Sequence, residues 1–419
     1  MAHGALISEV EQWLIGKALA DPEIATLFRL LCQRLHALGI PIDRAAVSWP
    51  TLHPLFRAEQ AVWKPDEGVK LMQFEHDDLG TQSDLFLKSP FYHVHKKNLT
   101  KLRRRLSGPE ARLDFDILED LRDEGYTDYL LTATRFRIAE AEHFAGGSTG
   151  IMATWSTKRE SGFSSNDFDG LSRIQQVFAV ACHASIQKRV MANIADAYLG
   201  PTAGARVLEG DIRRGDGRRI PAVLWFSDLR GSTRLSEQMA PDDYLALLNR
   251  YFECTAQPVI DNGGEILNFI GDGVLAIFPI SEDCPREAAL GAEKAVQEAL
   301  LRRLQAAECI LPDGERLDFG IGLSVGEVMF GNIGVPSRLA FSSIGREVNQ
   351  LHRIEAATKH LGVPVLADSA FVELASAEWI SAGHSDLREG MVSVELFTLP
   401  AAGEEQPWPS SGTLSLSVS

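Results

Sequence analysis

The apolar positions change period several times along the chain, and each change marks an element. Residues 6–20 and 23–39 read as helices. In the second, Ile24, Leu27, Phe28, Leu31 and Leu35 form a stripe at helical spacing that Gly39 and Pro41 end. Between 44 and 160, strand-like pieces (AAVSW, GVKLMQFEH, IMATWST) alternate with pieces that read as helical (NLTKLRRRL, ARLDFDILEDLRDEG). YTDYLLTATRFR, the glycine-rich AGGSTG and IMATWST predict a hairpin. After GFSSNDFDG, residues Leu171, Ile174, Phe178 and Ala181 share one face of a helix that runs to Leu199. Residues 1–190 are therefore expected to form an α+β unit, one sheet with helices packed on it.

Residues 191–220 read as a junction, where Gly200-Pro201 breaks the helix and glycine and arginine then dominate. From 221 to 400 the periods alternate again. Strand AVLWFSD precedes helix DDYLALLNRYFECTAQPVIDNG, hairpin EILNFIGDGVLAIF and helix REAALGAEKAVQEALLRRLQAAE. Strands LDFGIGLSV and EVMFGNIG, helix REVNQLHRIEAATKHLG and strand VPVLAD follow. The order β-α-β-β-α-β is that of a ferredoxin-like core. Residues 401–419, rich in Ser, Gly, Pro and Glu, are expected to be disordered, and there is no internal repeat.

Composition narrows the function classes. The 419 residues allow two or three domains, and 45% hydrophobic with 23% charged residues is ordinary for a globular chain. A net charge of −16 disfavours broad binding to nucleic acid or an anionic membrane. Cys32, Cys182, Cys254, Cys284 and Cys309 are scattered without a CxxC pair, which predicts reduced thiols in a cytoplasmic protein and no zinc site. The first residues lack a signal-peptide pattern, and no run approaches a membrane span. The sequon at Asn98 therefore carries little meaning.

The hairpin EILNFIGDGVLAIF holds Asp272 at an otherwise apolar tip. Alone, GDG fits a plain tight turn. A partner carboxylate changes that reading. Strand AVLWFSD ends at Asp228, 44 residues earlier (272 − 228), and Leu229-Arg230-Gly231-Ser232-Thr233 then opens a helix. Asp228 alone fits a helix N-terminal acid. In a split β-α-β unit, however, the first strand and the following hairpin are neighbours, so Asp228 and Asp272 can lie side by side. Two adjacent carboxylates repel unless a cation neutralises them, and hard oxygen ligands suit Mg²⁺ carrying substrate phosphates. The backbone N–H groups of Gly231, Ser232 and Thr233 are candidates for phosphate oxygens.

The segments FSDLRGST, GGEILNFIGDGVLAIF, FGIGLSVGEVMFGNIG and SSIGREVNQLHRIE, in this order, resemble the catalytic domain of class III adenylate/guanylate cyclases over roughly residues 220–400. The resemblance implies a ferredoxin-like domain that works as a homodimer with active sites at the interface. It implies conversion of a nucleoside triphosphate to a 3′,5′-cyclic nucleotide and pyrophosphate, with two Mg²⁺ or Mn²⁺ ions per site. Carried residue by residue, it implies that Asp228 and Asp272, assisted by the Leu229 carbonyl, hold metal. It likewise implies that Asn349 orients the ribose and Arg353 stabilises the phosphoryl group. Asn349 and Arg353 are an i,i+4 pair and share a helix face. GIMATWST followed by GFSSNDFDGLSRI resembles a GAF domain, which implies a sensor for an unknown small-molecule or protein signal. The helix 170–199 would then act as the lever between sensor and cyclase.

The chain departs from the family where the base is read. Asn268 stands where adenylate cyclases carry lysine, and Ser342 where they carry Asp or Thr. Either side chain can serve adenine or guanine, which leaves the base open; the resemblance implies ATP, the commoner substrate of the family, with GTP an alternative. A non-catalytic nucleotide-binding regulator is a second alternative. Arg388 and Arg338 are candidate triphosphate contacts. Four further patterns read as incidental. Lys96–Arg105 is taken as a solvated helix face, and His93-Val94-His95 has strand-like spacing but no third ligand. Gly263-Gly264-Glu265 lacks the rest of a diguanylate cyclase signature, and Gly320-Ile321-Gly322 lacks the Rossmann spacing. Arg353 would otherwise be a surface partner of Glu347 or Glu355.

Overall fold

The computed structural model describes residues 2–20, 22–51, 53, 55–75, 84–136, 150–306, 316–385 and 393–400. The chain divides into two compact units, Met1–Ala205 and Arg206–Ser419.

In the first unit, α1 (Ala2–Ala18) and α2 (Ile24–Ala37) precede strands β1 (Arg44–Pro50), β2 (Phe56–Lys64) and β3 (Gly68–Glu75). Then come α3 (Asp84–Leu87), α4 (Pro90–Lys96), β4 (Lys101–Arg105), α5 (Asp116–Asp123), β5 (Asp128–Arg135), β6 (Gly150–Thr157) and α6 (Ser165–Leu199). The strands make one antiparallel sheet in the order β3-β2-β1-β6-β5-β4. The apolar stripes of α1, α2 and α6 bury Val10, Leu27, Phe28, Leu31, Ile174 and Phe178 with Trp63 and Trp155 of the sheet. A second cluster joins Val94, Leu118 and Leu121 to Leu102, Tyr129 and Leu131. A Ser164–Asp167 capping box starts α6, and Gly200, at φ 79, ends it.

Two expectations are corrected here. The run Lys96–Arg105 is not a helix face. Lys97 caps α4, and the arginines lie in strand β4. The alternation of that strand buries Leu102 and turns Arg103 and Arg105 toward Asp128, which is fully buried and also accepts from the Phe163 N–H. A cluster of charge hid a period of two. His93 and His95 lie on α4 rather than a strand. Two residues apart on a helix they point roughly 200° apart, so they cannot share a ligand. Strand β2 had no counterpart in the sequence reading. The loop residues 145–149, Cys309, Arg388 and the tail 401–419 lie outside the described residues.

Helix α7 (Pro201–Glu209) leads into the second unit. Its elements are β7 (Gly217–Leu229), α8 (Ser232–Gln238), α9 (Pro241–Asp261), β8 (Glu265–Ile270), β9 (Gly273–Pro279) and α10 (Pro285–Gln305). There follow β10 (Phe319–Val335), β11 (Arg338–Ile344), α11 (Arg346–Leu361), β12 (Val365–Asp368), α12 (Ser369–Val372), β13 (Ile380–Ser385) and β14 (Val394–Thr398). The sheet runs β13-β14-β12-β10-β7-β9-β8, with β11 paired to β10. Its β10-β7-β9-β8 half is antiparallel throughout and, with α9 and α10, makes the expected βαββαβ core. β7 starts at Gly217, inside the expected junction, and the two strands expected at 317–334 are one continuous β10. Alternate β7 residues Val223 and Trp225 bury against Leu247, Tyr251, Val259 and Val296 of α9 and α10.

Phe226 instead meets His352 of α11, ring centroids 3.9 Å apart, so α11 covers the other face. The close approach of α11 explains Gly320 and Gly322. A Cβ on Gly322 would lie 2.9 Å from the Glu355 N and 3.1 Å from the Leu351 carbonyl oxygen. Gly322→Ala must push a helix backbone outward, at a cost of about 1–3 kcal/mol. Denaturant melts should show that loss, and an unchanged midpoint would contradict the packing described here.

Candidate active site

The end of β7 and the β8–β9 turn meet. Ser227 pairs with Val274 across the ladder, and Ile270 with Gly273 across the turn. Gly271 takes φ +64, the left-handed conformation that glycine supplies at no steric cost in a two-residue hairpin turn. Gly273 has a different role. A Cβ there would lie 2.7 Å from the Phe226 ring. The turn is thus pressed against β7, and it brings Asp272 close enough to Asp228 for its charge to act on that carboxyl. One oxygen of Asp272, Oδ2, is buried with no hydrogen-bond partner.

The electrostatics are those of crowded like charges. Burial first, then the Asp272 charge, pushes the Asp228 carboxyl up to about 6. The Leu229 N–H and the Arg230 guanidinium oppose that shift. Glu355 of α11 is a third member. It is 6% exposed, and burial followed by the Asp228 charge raises it to about 7. Among the described residues, no three His, Cys, Asp or Glu side chains converge on one metal point. An orphaned buried carboxylate oxygen beside a second carboxylate is a donor set that fits a hard divalent cation.

The remaining expected residues are distributed as follows. Leu229 is the buried last residue of β7, and Gly231, at φ 69, caps the short helix α8 that begins Ser232-Thr233. Asn349 and Arg353 lie on the exposed face of α11, while Leu351, Ile354, Glu355 and Thr358 line its buried face. One chain therefore joins Asp228 to Asp272 and turns Asn349 and Arg353 away from them. Asn268 is half-buried on β8 beside a register shift between Ile266 and Asn268, a device that re-aims side chains. Ser342 is half-buried on β11, opposite Gly331, and β11 touches β8. Arg338 is exposed at the start of β11. No helix among the described residues is long and apolar enough to cross a membrane.

Sequence reasoning missed Arg230, Glu355, Thr358 and Tyr244. Arg230 Nη2 donates to Thr358 Oγ1 at 2.5 Å, and Nη1 is 3.9 Å from Glu355 Oε1. Glu355 is thus a buried partner of Arg230, not a surface residue. Burial and the two aspartates raise the Tyr244 hydroxyl pKa, so α9 also borders the pair. GIG was the available signal, two glycines in a strand where a helix must come close.

A carboxyl whose pKa is higher in the folded than in the unfolded chain favours folding most when protonated. The Asp228 contribution is therefore fully present below its unfolded value near 4 and is lost as pH rises through about 6. In chelator-treated protein, Asp272→Asn should gain stability relative to wild type between about pH 4 and about pH 7. The gain should stay below about 1 kcal/mol, because Asp228 is only half-buried and solvent screens it. Urea melts across that range measure the difference, and a constant or shrinking difference would contradict the pairing.

Several known proteins are similar to parts of this chain. A bacterial light-regulated adenylyl cyclase structure is 22% identical, covers 56% of this chain and 66% of its own, and has a TM-score of 0.45. An adenylate cyclase of Anabaena cylindrica is 36% identical over 155 residues, 36% of this chain and 30% of that protein. An uncharacterized protein of Mycobacterium tuberculosis is 28% identical over 229 residues, 53% of this chain and 40% of that protein. The chain thus spans well under half the length of these two curated relatives. Residues 219–387 match the family model of the adenylate and guanylate cyclase catalytic domain. The matched residues all lie in the second unit, which is therefore the part of the chain similar to the adenylate and guanylate cyclase catalytic domain.

Proposed function

We propose that the protein is a nucleotide cyclase that converts ATP to 3′,5′-cyclic AMP and pyrophosphate. The observation that carries this reading is the Asp228–Asp272 contact with Asp272 Oδ2 buried and unpaired. Asp228 and Asp272, with the Leu229 carbonyl, would hold Mg²⁺ or Mn²⁺, two ions per site. When bound, these ions would lower the pKa of the ribose 3′-hydroxyl and shield the triphosphate. The backbone amides of Gly231, Ser232 and Thr233 donate to phosphate oxygens. Arg353 donates a rigid fork to the α-phosphoryl group as its charge grows in the transition state, and Asn349 orients the ribose so that the 3′-oxygen attacks in line.

The exposed face of α11 supports a homodimer in which Asn349 and Arg353 of one chain serve the aspartates of the other. A two-fold axis then gives two equal sites. Base selection falls to Asn268 and Ser342, each able to donate and accept. The adenylate cyclase relatives favour ATP, while the ambivalent Asn268 amide supports a second reading as a mixed or guanylate cyclase. The six-stranded antiparallel sheet of the first unit, with helices packed on it, supports a GAF-like sensor over residues 1–190. Its signal would pass through α6 and the junction 191–220 to a catalytic domain at 221–400.

Purified protein with Mn²⁺ or Mg²⁺ and equimolar ATP and GTP should form cyclic AMP in excess. Asp228→Ala with Asp272→Ala should abolish product, and Arg353→Ala should lower turnover on the order of 10²-fold. Wild-type product no greater than the background of the double variant would leave a non-catalytic nucleotide-binding regulator as the better reading. Asn268→Lys should raise the ratio of cyclic AMP to cyclic GMP, and an unmoved ratio removes Asn268 from base selection. Replacing 200–210, upstream of β7, with a flexible linker should uncouple basal turnover from the presence of the first unit. Unaltered dependence on that unit would exclude the lever.

A further inference from the structure

Three carboxylates, Asp228, Asp272 and Glu355, gather where β7 ends and act on one another electrostatically. Gly320 of β10 lies directly opposite Asp228 in the antiparallel ladder. It carries no side chain, and the space above it is filled from two sides. Arg230 reaches in from the β7 end, and Glu355 and Thr358 come down from α11. A Cβ on Gly320 would clash with Glu355 Oε1 and Thr358 Oγ1 and would stand 2.9 Å from Arg230 Nη2. Arg230 spans the two α11 residues, donating to Thr358 Oγ1 at 2.5 Å with Glu355 Oε1 3.9 Å from Nη1. Thr358 Oγ1 itself donates back to the Glu355 main-chain oxygen at 2.5 Å, so the hydroxyl is fixed from both sides.

We propose that Arg230 is a positioning residue. Anchored by Thr358 over the gap at Gly320, it holds the Glu355 carboxylate away from the Asp228–Asp272 pair, so that two carboxylates rather than three face a divalent ion. This rests on the reading of Asp228 and Asp272 as metal ligands. Without the Arg230 guanidinium, Glu355 would be a spare oxygen donor beside a divalent ion held by Asp228 and Asp272. A third carboxylate in the ligand set would tighten the ion and leave fewer positions for phosphate oxygens. Arginine suits the task because its planar fork can engage a hydroxyl and a carboxylate together and keeps its charge when half-buried.

The test is Mn²⁺ binding without nucleotide, followed by electron paramagnetic resonance, beside turnover with ATP. Arg230→Met should bind Mn²⁺ at least fivefold more tightly than wild type while turning over at least tenfold more slowly. Gly320→Ala, which displaces the same three side chains, should shift Mn²⁺ affinity in the same direction. Adding Glu355→Gln to Arg230→Met should return Mn²⁺ affinity to within twofold of wild type and recover part of the turnover, a reversal that mere structural damage would not give. Should Arg230→Met fail to fold, Glu355→Gln alone decides. Mn²⁺ affinity within twofold of wild type supports the assignment, and a tenfold loss makes Glu355 a ligand and overturns it. Unchanged or weaker Mn²⁺ binding in Arg230→Met also overturns it. Because binding is read without nucleotide, the predicted Mn²⁺ pattern in a protein that makes no cyclic nucleotide would sink the cyclase reading and leave Arg230 in its role.

Discussion

The second unit is built around an unfavourable contact. Its fold brings together two half-buried carboxyl groups, from the end of one strand and the tip of a hairpin, with Asp272 Oδ2 unpaired. This arrangement costs stability once Asp228 ionises, because burial and the neighbouring Asp272 charge both disfavour its charged form. The surrounding structure gives the pair no freedom to part. Gly273 lets the turn press on Phe226, Phe226 stacks on His352, and the Tyr251 hydroxyl pins Ser227 at 3.1 Å from the other face. This packing fixes the relative positions of the β7 end and the hairpin tip, which the proposed metal role requires.

The same packing separates the chemistry into two halves. The buried face of α11 supports the acidic end of β7 through Arg230, Glu355 and Thr358. The exposed face carries Asn349 and Arg353 outward. A helix cannot present both faces to one site, so a chain with these residues in cyclase roles serves its own metal pair from one side and another chain from the other. That division is the arrangement that the proposed homodimer would use.

Much of this was legible in the sequence. Asp228 and Asp272 stood out because a strand ending in an acid, a long helix and a GDG hairpin fix a neighbour relation that local patterns can express. The α11 pair was legible for the same reason, since i,i+4 spacing is local. Arg230, Glu355 and Gly320 were not. Their meeting depends on the β7–β10 register, which sets Gly320 against Asp228 across 92 residues (320 − 228), and no local pattern records a register. The β4 segment failed differently. Its arginines resemble a solvated helix until Asp128, far along the chain, gives them a buried partner.

The central claim is that the aspartate pair of one chain works with Asn349 and Arg353 of another. Mixing two inactive variants tests it most directly, one carrying Asp228→Ala with Asp272→Ala and the other Arg353→Ala. Random pairing makes half the dimers mixed, each with one complete site, so cyclic nucleotide formation should return to about a quarter of the wild-type rate. A mixture that stays as inactive as its two components, while still forming mixed dimers, would contradict the account.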